Sequence, residues 1–170
     1  MSTILLEPYS ASHGEAMAAL LADPDVLRFT RVPDPPPPGF GETWAKAYER
    51  GRRDGTREAF AITDTDGSFL GIAVAPRIDR ETRTAELGYV VAPAARGRGV
   101  ATEALRLLTD WAFTELGAMR LELLISVDNN ASKRVAERCG YTREGVLRST
   151  YVKPGIRADS EIWSRLPTDP

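Results

Sequence analysis

One stretch constrains this chain more than any other. From Ala85 to Phe113, an apolar β-like run carrying Leu87, Tyr89, Val90 and Val91 stops at Ala92-Pro93-Ala94-Ala95. It then passes through Arg96-Gly97-Arg98-Gly99-Val100-Ala101 and opens a long amphipathic helix pattern. A strand that ends in a glycine-spaced turn and starts a helix is built to grip phosphate. The first N–H groups of a helix have no internal partner, and the helix dipole is positive there. Glycines let the backbone approach an anion with no Cβ in the way. Arg96 and Arg98 add charge and forked donors. The segment reads as a pyrophosphate site, with N–H groups from about Arg98 to Thr102 aimed at the ligand. The dipole alone contributes only ~0.3–1 kcal/mol on an exposed surface, so several aligned donors are required.

Spacing separates the ligand classes. A Walker A loop ends in Gly-Lys-Ser/Thr, and no Lys follows Gly99. A dinucleotide fingerprint is matched at its first two glycines by Gly97 and Gly99, but Thr102 stands at the third. Asp110 and Glu115 come too soon for its acidic residue and sit on the helix itself. A third class remains. Arg96, Gly99 and Ala101 match Arg/Gln-x-x-Gly-x-Gly/Ala, within the longer Val91-x-Pro93-x-x-Arg96-Gly97-x-Gly99. This resembles the acetyl-CoA signature of the GNAT superfamily of N-acetyltransferases. The helix that follows carries Ala101, Ala104, Leu105, Leu108, Ala112 and Leu116 on one stripe, as a sheet-packing helix should, and Gly117 can close it.

The chain has 170 residues, enough for one domain over 1–170 with a real core. Its net charge of −2 argues against a general nucleic-acid binder. A single cysteine, Cys139, excludes an intramolecular disulfide. The N-terminus shows neither a charged n-region nor a long apolar h-region, so no signal peptide is expected. The apolar run Ala16–Ala22 is too short to span a bilayer, and the cytoplasm is the expected compartment.

Along the chain, Ile4-Leu5-Leu6 reads as a strand stopped by Pro8. Ser12-x-x-Glu15 reads as a capping box before a helix over Ala16–Ala22, broken by Asp23-Pro24-Asp25. Pro33–Gly39 should be a stiff polyproline-like loop, followed by a helix from about Glu42 to Arg52. Ala59–Thr63 and Phe69–Val74 around Asp66-Gly67 read as a hairpin, and Thr82–Val91 as the strand that feeds the signature. Beyond the long helix, Arg120–Val127 alternates like a strand with one strongly apolar face. Asn129 can cap a short helix over Ala131–Arg138, ended by Gly140. Two strands, roughly Tyr141–Tyr151 and Ala158–Arg165, close the chain around Lys153-Pro154-Gly155. The order β-α-α-β-β-β-α-β-α-β-β describes a mixed α/β domain around one twisted sheet. It is also the order of GNAT folds, so the resemblance covers nearly the whole chain.

The resemblance implies roles for particular residues. Ala85-Glu86-Leu87-Gly88-Tyr89 is similar to a segment of the RimJ/RimL branch, the ribosomal-protein N-terminal acetyltransferases, in which the matching glutamate takes the amine proton directly or through water. Glu86 is therefore the candidate base. Asn129-x-x-Ser132, followed by Cys139-Gly140-Tyr141, resembles the segment that contacts the cofactor arm and lies near its sulfur. Ser132 becomes the candidate at the thiolate end, as acid or as contact. Val91 and its neighbours would pair with the pantetheine arm where adjacent parallel strands splay, and Arg96, Gly97, Arg98, Gly99, Val100, Ala101 and Thr102 would hold the pyrophosphate. Many GNAT enzymes place an acidic tyrosine where this chain has Ala136, which favours the RimJ/RimL type. Tyr141 reads as core.

The acceptor side implied by the resemblance spans Phe29 to Trp44 and Leu147 to Asp159, with Phe40 and Trp44 as an apolar wall. Asp159 lies in Gly155-Ile156-Arg157-Ala158-Asp159; it holds a cationic amine or bonds within the hairpin. His13 stands at the start of an early helix, and Cys139 reads as a buried structural thiol. One His and one Cys cannot build the usual zinc site, so no metal is expected. Arg50, Arg52 and Arg53 read as a solvated face. The expected activity is acetyl-CoA-dependent transfer to a primary amine, on a small molecule or a protein N-terminus. No nucleic acid or membrane partner is expected. The alternative is a non-catalytic acyl-CoA-binding regulatory module, which would not need Glu86 or Ser132. The oligomeric state is open, with the final hairpin as the candidate for pairing in a homodimer.

Overall fold

The computed structural model describes residues 3–170. Strand β1 (Ile4–Pro8) leads through a 3-10 turn (Ala11–His13) into helices α1 (Gly14–Leu21), α2 (Pro24–Phe29) and α3 (Phe40–Asp54). Strands β2 (Glu58–Asp64), β3 (Phe69–Asp79) and β4 (Thr84–Val91) follow, then α4 (Val100–Thr114), β5 (Arg120–Ser126) and α5 (Asn130–Arg138). A hairpin of β6 (Thr142–Lys153) and β7 (Ile156–Arg165) ends the chain. The strands form one sheet in the order β1-β2-β3-β4-β5-β7-β6. Every neighbouring pair is antiparallel except β4 and β5, which run parallel around the α4 crossover.

Each face of the sheet buries its own apolar layer. On one face, Ala104, Leu105, Leu108 and Ala112 of α4 pack on Phe60, Ile62, Leu87, Leu121 and Leu123. This is the stripe read from the helical period, extended by Val100 and by the fully buried Thr109, whose hydroxyl bonds that of Tyr141 at 2.8 Å. On the other face, Met17, Leu20, Val26 and Tyr48 from α1, α2 and α3 cover Ala59 and Ile72.

The first third of the chain departs from expectation in three places. Asp23-Pro24-Asp25 ends α1 but also starts α2: the Asp23 carboxylate accepts the Asp25 N–H at 3.1 Å, and Pro24 takes the first helical position. Proline costs nothing there, because that N–H would be orphaned anyway. Capping before α1 falls to Ser10 rather than Ser12. The Ser10 N–H donates to Nδ1 of His13 at 3.1 Å, which gives that ring a local structural job. The proline-rich stretch is an irregular loop with a cis Asp34–Pro35 peptide, not a regular extended helix.

Strand β3 also runs past Val74 to Asp79, with a register shift between Val74 and Arg77. The extra residues, Ala75 and Pro76, form a bulge opposite β4, where a proline can omit its ladder hydrogen bond. The bulge restores pairing at Arg77 opposite Glu86.

Candidate active site

The signature turn is shaped as a phosphate cradle. Pro93–Ala95 forms a single 3-10 turn, and α4 then begins behind Gly99. Gly97 and Gly99 have φ of +73° and +79°, the left-handed region that favours glycine. A Cβ at either would meet nothing within 4 Å, so both face open space. The Glu103 N–H donates to Gly99 O at 3.1 Å. The N–H groups of Val100, Ala101 and Thr102 precede that bond and have no acceptor inside the helix. The exposed Arg98 stands beside them.

Arg96 does something else. Its Nε donates to Val91 O at 3.1 Å, Nη2 makes a short ion pair with Asp23, and Nη1 lies 3.5 Å from Asp25. The side chain fastens the turn to the start of α2 and is not directed at a phosphate.

Next to this turn the sheet opens. Strand β4 pairs with β5 only at Thr84↔Arg120, Ala85↔Leu121 and Glu86↔Glu122. Past that point β4 stays with β3 as far as Val91, and β5 stays with β7 as far as Ser126. The parallel strands part at Glu86. Ala92 N–H donates to Leu70 O at 2.8 Å, so ladder alternation turns the main-chain groups of Val91 and Tyr89 away from β3 and into the gap. Val91 O is taken by Arg96. The other groups can bind an extended amide-bearing arm as an added strand would.

Helix α5 begins on the far side of the gap. Asn129 Oδ1 accepts the Ser132 N–H at 3.1 Å, which makes it the N-cap. Lys133 Nζ anchors this end through Val127 O at 2.6 Å and Glu161 at 3.0 Å. Burial raises the Glu161 carboxyl pKa, but hydrogen bonds from Lys133, Trp163 and Arg143 outweigh it and leave the group below its ordinary value. Cys139 is buried with its Sγ 3.4 Å from Thr102 O, and burial raises its pKa, in keeping with a structural thiol.

Tyr89 was not a candidate from sequence. Its hydroxyl is buried without a hydrogen-bond partner among the described residues. Burial pushes its pKa up to about 12, the nearby Ser132 hydroxyl draws it down, and Cys139 adds to the rise. Where α5 has Ala136, fully buried, β4 thus supplies a phenol to the same region. An unsatisfied buried hydroxyl costs stability and is a marker of a site.

On the opposite face, Glu86 looks into an open cleft of about 580 Å³ lined also by Arg31, Thr56, Arg57, Pro76, Arg77 and Thr150. The Glu86 side chain is 11% exposed; Arg31 Nη1 lies 3.4 Å from one oxygen and Arg77 Nε 3.7 Å from the other. Both distances exceed an ordinary charge-assisted hydrogen bond, which leaves the carboxylate able to accept from a ligand. Arg31 arrives on the loop after α2. That loop is held from β6, where Tyr151 donates to Thr30 O at 2.6 Å and Lys153 donates to Leu27 O. Helix α2 is therefore tied to the glycine turn at its start and to β6 at its end.

The expected acceptor residues lie elsewhere. Trp44 is half-buried against the second core layer, 5.1 Å from the Tyr9 ring and 4.2 Å from the Tyr48 ring, and does not line the cleft. Phe40 sits at the first turn of α3, also away from the lining. Asp159 Oδ1 accepts the Ser149 N–H at 2.8 Å, which makes it a brace of the last hairpin where Ser149 has φ of +58°. Arg52 is likewise structural, bonded to Glu58 at 2.6 Å. Arg77 is missed by reading β3 only to Val74; Arg31 and Arg57 carry no sequence signal for this cleft.

Among the described residues, no helix is long and apolar enough to cross a membrane. Comparison with known proteins agrees with the geometry. Residues 3–142 match the profile of the acetyltransferase (GNAT) domain. YdaF of Bacillus subtilis, named only provisionally as a ribosomal N-acetyltransferase, is 36% identical over 101 residues, 59% of this chain and 55% of that protein. The chain thus spans about half the length of that curated relative. Two solved structures share the fold at 20% identity. The spermidine N-acetyltransferase of Vibrio cholerae with CoA and spermine has a TM-score of 0.86, covering 98% of this chain and 96% of that one. RimL, a ribosomal L7/L12 alpha-N-protein acetyltransferase in complex with coenzyme A, has a TM-score of 0.88, covering 98% and 95%. A phosphate cradle beside parted parallel strands, together with a family match over most of the sequence, places this chain in the GNAT acetyltransferase family.

Proposed function

We propose that this protein is an acetyl-CoA-dependent N-acetyltransferase that acetylates a primary amine by direct attack. The reading rests on one observation above all: the gap between β4 and β5 begins at Glu86, the carboxylate that lines the cleft. A thioester arm lying in that gap would meet an amine held at this residue. Neighbours of the same fold with CoA or acetyl-CoA bound support the cosubstrate.

The chemistry then divides among the chain's own residues. Backbone N–H groups from Val100 to Thr102, with Arg98, hold the pyrophosphate. Glu86 takes a proton from the acceptor ammonium, directly or through one water, and the freed amine attacks the thioester carbonyl carbon. The new C–N bond forms as the C–S bond breaks, the thiolate leaves into the side of the gap where Ser132 and Tyr89 stand, and the extra proton left on the attacking nitrogen passes through water to the thiolate, so that coenzyme A departs as its thiol. With its pKa near 12, the Tyr89 hydroxyl keeps its proton at neutral pH. A thiolate of pKa about 8.5 is too weak a base to remove that proton. Tyr89 and Ser132 thus stabilise the leaving group by donating hydrogen bonds rather than by proton transfer.

The test is release of free coenzyme A thiol when the protein is mixed with acetyl-CoA and a panel of primary amines. Thiol release that depends on an amine is expected. Tight binding of the cosubstrate with no amine-dependent release would instead make the protein a binding module.

A further inference from the structure

The cleft over Glu86 is unusually rich in positive charge for a site that must receive an ammonium group. We propose that the acceptor is a small primary amine that carries an anionic group, a carboxylate or a phosphate, and that Arg57, Arg31 and Arg77 receive this anion while Glu86 receives the amine. The inference rests on the acetyl-transfer reading and adds a substrate class to it.

Among the residues lining the cleft, three guanidinium groups stand against one carboxylate. Arg57 lies 5.8 Å above the Tyr48 ring and makes no ion pair among the described residues. Arg31 meets Glu86 only at 3.4 Å and is half exposed, so most of its donors are available. Arg77 is shared between Glu86 at 3.7 Å and Glu122 at 3.3 Å. Glu122 offsets part of the Arg77 charge, which leaves Arg57 and Arg31 as the guanidinium groups most available to a ligand. The Tyr48 phenol registers the same field. Burial pushes its pKa up to about 12, while Arg57 lowers it, Glu86 raises it and Arg31 lowers it. Arg57, Arg31 and Glu86 line the same cleft. Guanidinium forks match carboxylate and phosphate oxygens in a bidentate way. A polyamine would bring a second cation against three others, and a neutral alkylamine would leave them without a partner.

The experiment measures thiol release by the wild-type protein with acetyl-CoA and β-alanine, O-phosphoethanolamine, n-propylamine or spermidine. The anionic amines should exceed propylamine and spermidine in kcat/KM by about tenfold or more, the effect of one charge-assisted contact. The carboxylate and phosphate arms decide between the two anions. Raising NaCl from about 20 mM to about 0.5 M should shrink the preference, because exposed guanidinium groups are screened. Arg57→Gln should cut the ratio of the better anionic amine to propylamine about tenfold. Equal or faster turnover of spermidine or propylamine, or a preference insensitive to salt and to Arg57→Gln, overturns this inference and leaves acetyl transfer standing. No release from any amine, with acetyl-CoA binding intact by calorimetry, overturns the acetyl-transfer reading and this inference together.

Discussion

At the proposed cofactor end, consecutive residues from Gly97 to Thr102 offer the donors, and most of those donors are main chain. At the proposed acceptor end, Arg31, Arg57, Arg77, Glu86 and Thr150 come from separate loops and strands, and the groups they offer to the cleft are side chains. Main-chain recognition depends on φ and on where a helix starts, so the residues between the glycines can vary. Side-chain recognition depends on each identity and on every element that carries it. One end can remain constant across a family while the other is rewritten for a new amine.

The largest effect tests the main-chain end. Gly99→Val puts a β-branched residue at φ +79° and a side chain into the space left open for phosphate. Acetyl-CoA binding by calorimetry should weaken by about 100-fold or more, the value of several charge-assisted bonds. A Cβ there touches nothing within 4 Å of the protein, so the strain is confined to the backbone at φ +79°, and circular dichroism checks that the fold is retained. Binding within a few fold of wild type would break the comparison.

Glu86→Gln comes next and tests the side-chain end. Loss of a positioned base should lower kcat by about 10²–10⁴ while the KM for acetyl-CoA changes little. An unchanged kcat would remove Glu86 as the base.

A third variant separates stability from function. Tyr89→Phe deletes a buried hydroxyl that has no hydrogen-bond partner among the described residues. Removing an unsatisfied group should leave stability equal or higher, by up to about 1–3 kcal/mol of relieved penalty, read as an equal or higher Tm. If the hydroxyl donates to the leaving thiolate, kcat should still fall about tenfold. Unchanged turnover would reduce Tyr89 to packing.

The smallest effect concerns the closed end of the sheet, where β5, β6 and β7 meet before β4 and β5 part. Arg120 bonds both oxygens of Glu144, at 2.9 and 2.7 Å, and Ser164 donates to Glu144 at 2.6 Å. The Arg120 and Ser164 hydrogen bonds pull the Glu144 pKa down from 4.5 to about 2, against a small opposing effect of burial. The folded value is below the unfolded one, so this stabilisation is present above about pH 4.5 and is lost as pH falls toward 2. Glu161 is also lowered and acts in the same sense. Glu144→Gln should cost about 2–4 °C in Tm at pH 7, the shift for ~1 kcal/mol from an exposed pair after screening. The loss should narrow in acid, which calorimetry across pH can follow.

The legible parts were those that short-range rules govern. The stripe on α4 and the cap at Asn129 were read correctly because helical period and capping act within a few residues. Helix α2 carried the same kind of signal in Asp23, Pro24 and Asp25, but the proline was read only as a stop. Trp44 looked like a binding wall because an exposed and a packed aromatic have the same letter; its neighbours Tyr9 and Tyr48 decide which it is. Arg96 was recognised as a signature residue, yet its ion-pair partners lie 71 and 73 residues away and turn its side chain from phosphate to α2.

By itself the sequence determined the glycine turn, the helix behind it and the presence of a carboxylate on the strand before it, because left-handed φ and helix termini are local properties. Only the tertiary structure decided what that carboxylate faces. The gap at Glu86 exists because β3 and β7 hold β4 and β5 apart beyond it. The charge around Glu86 comes from arginines brought together by folding, since electrostatic energy depends on distance in space and not on separation along the chain.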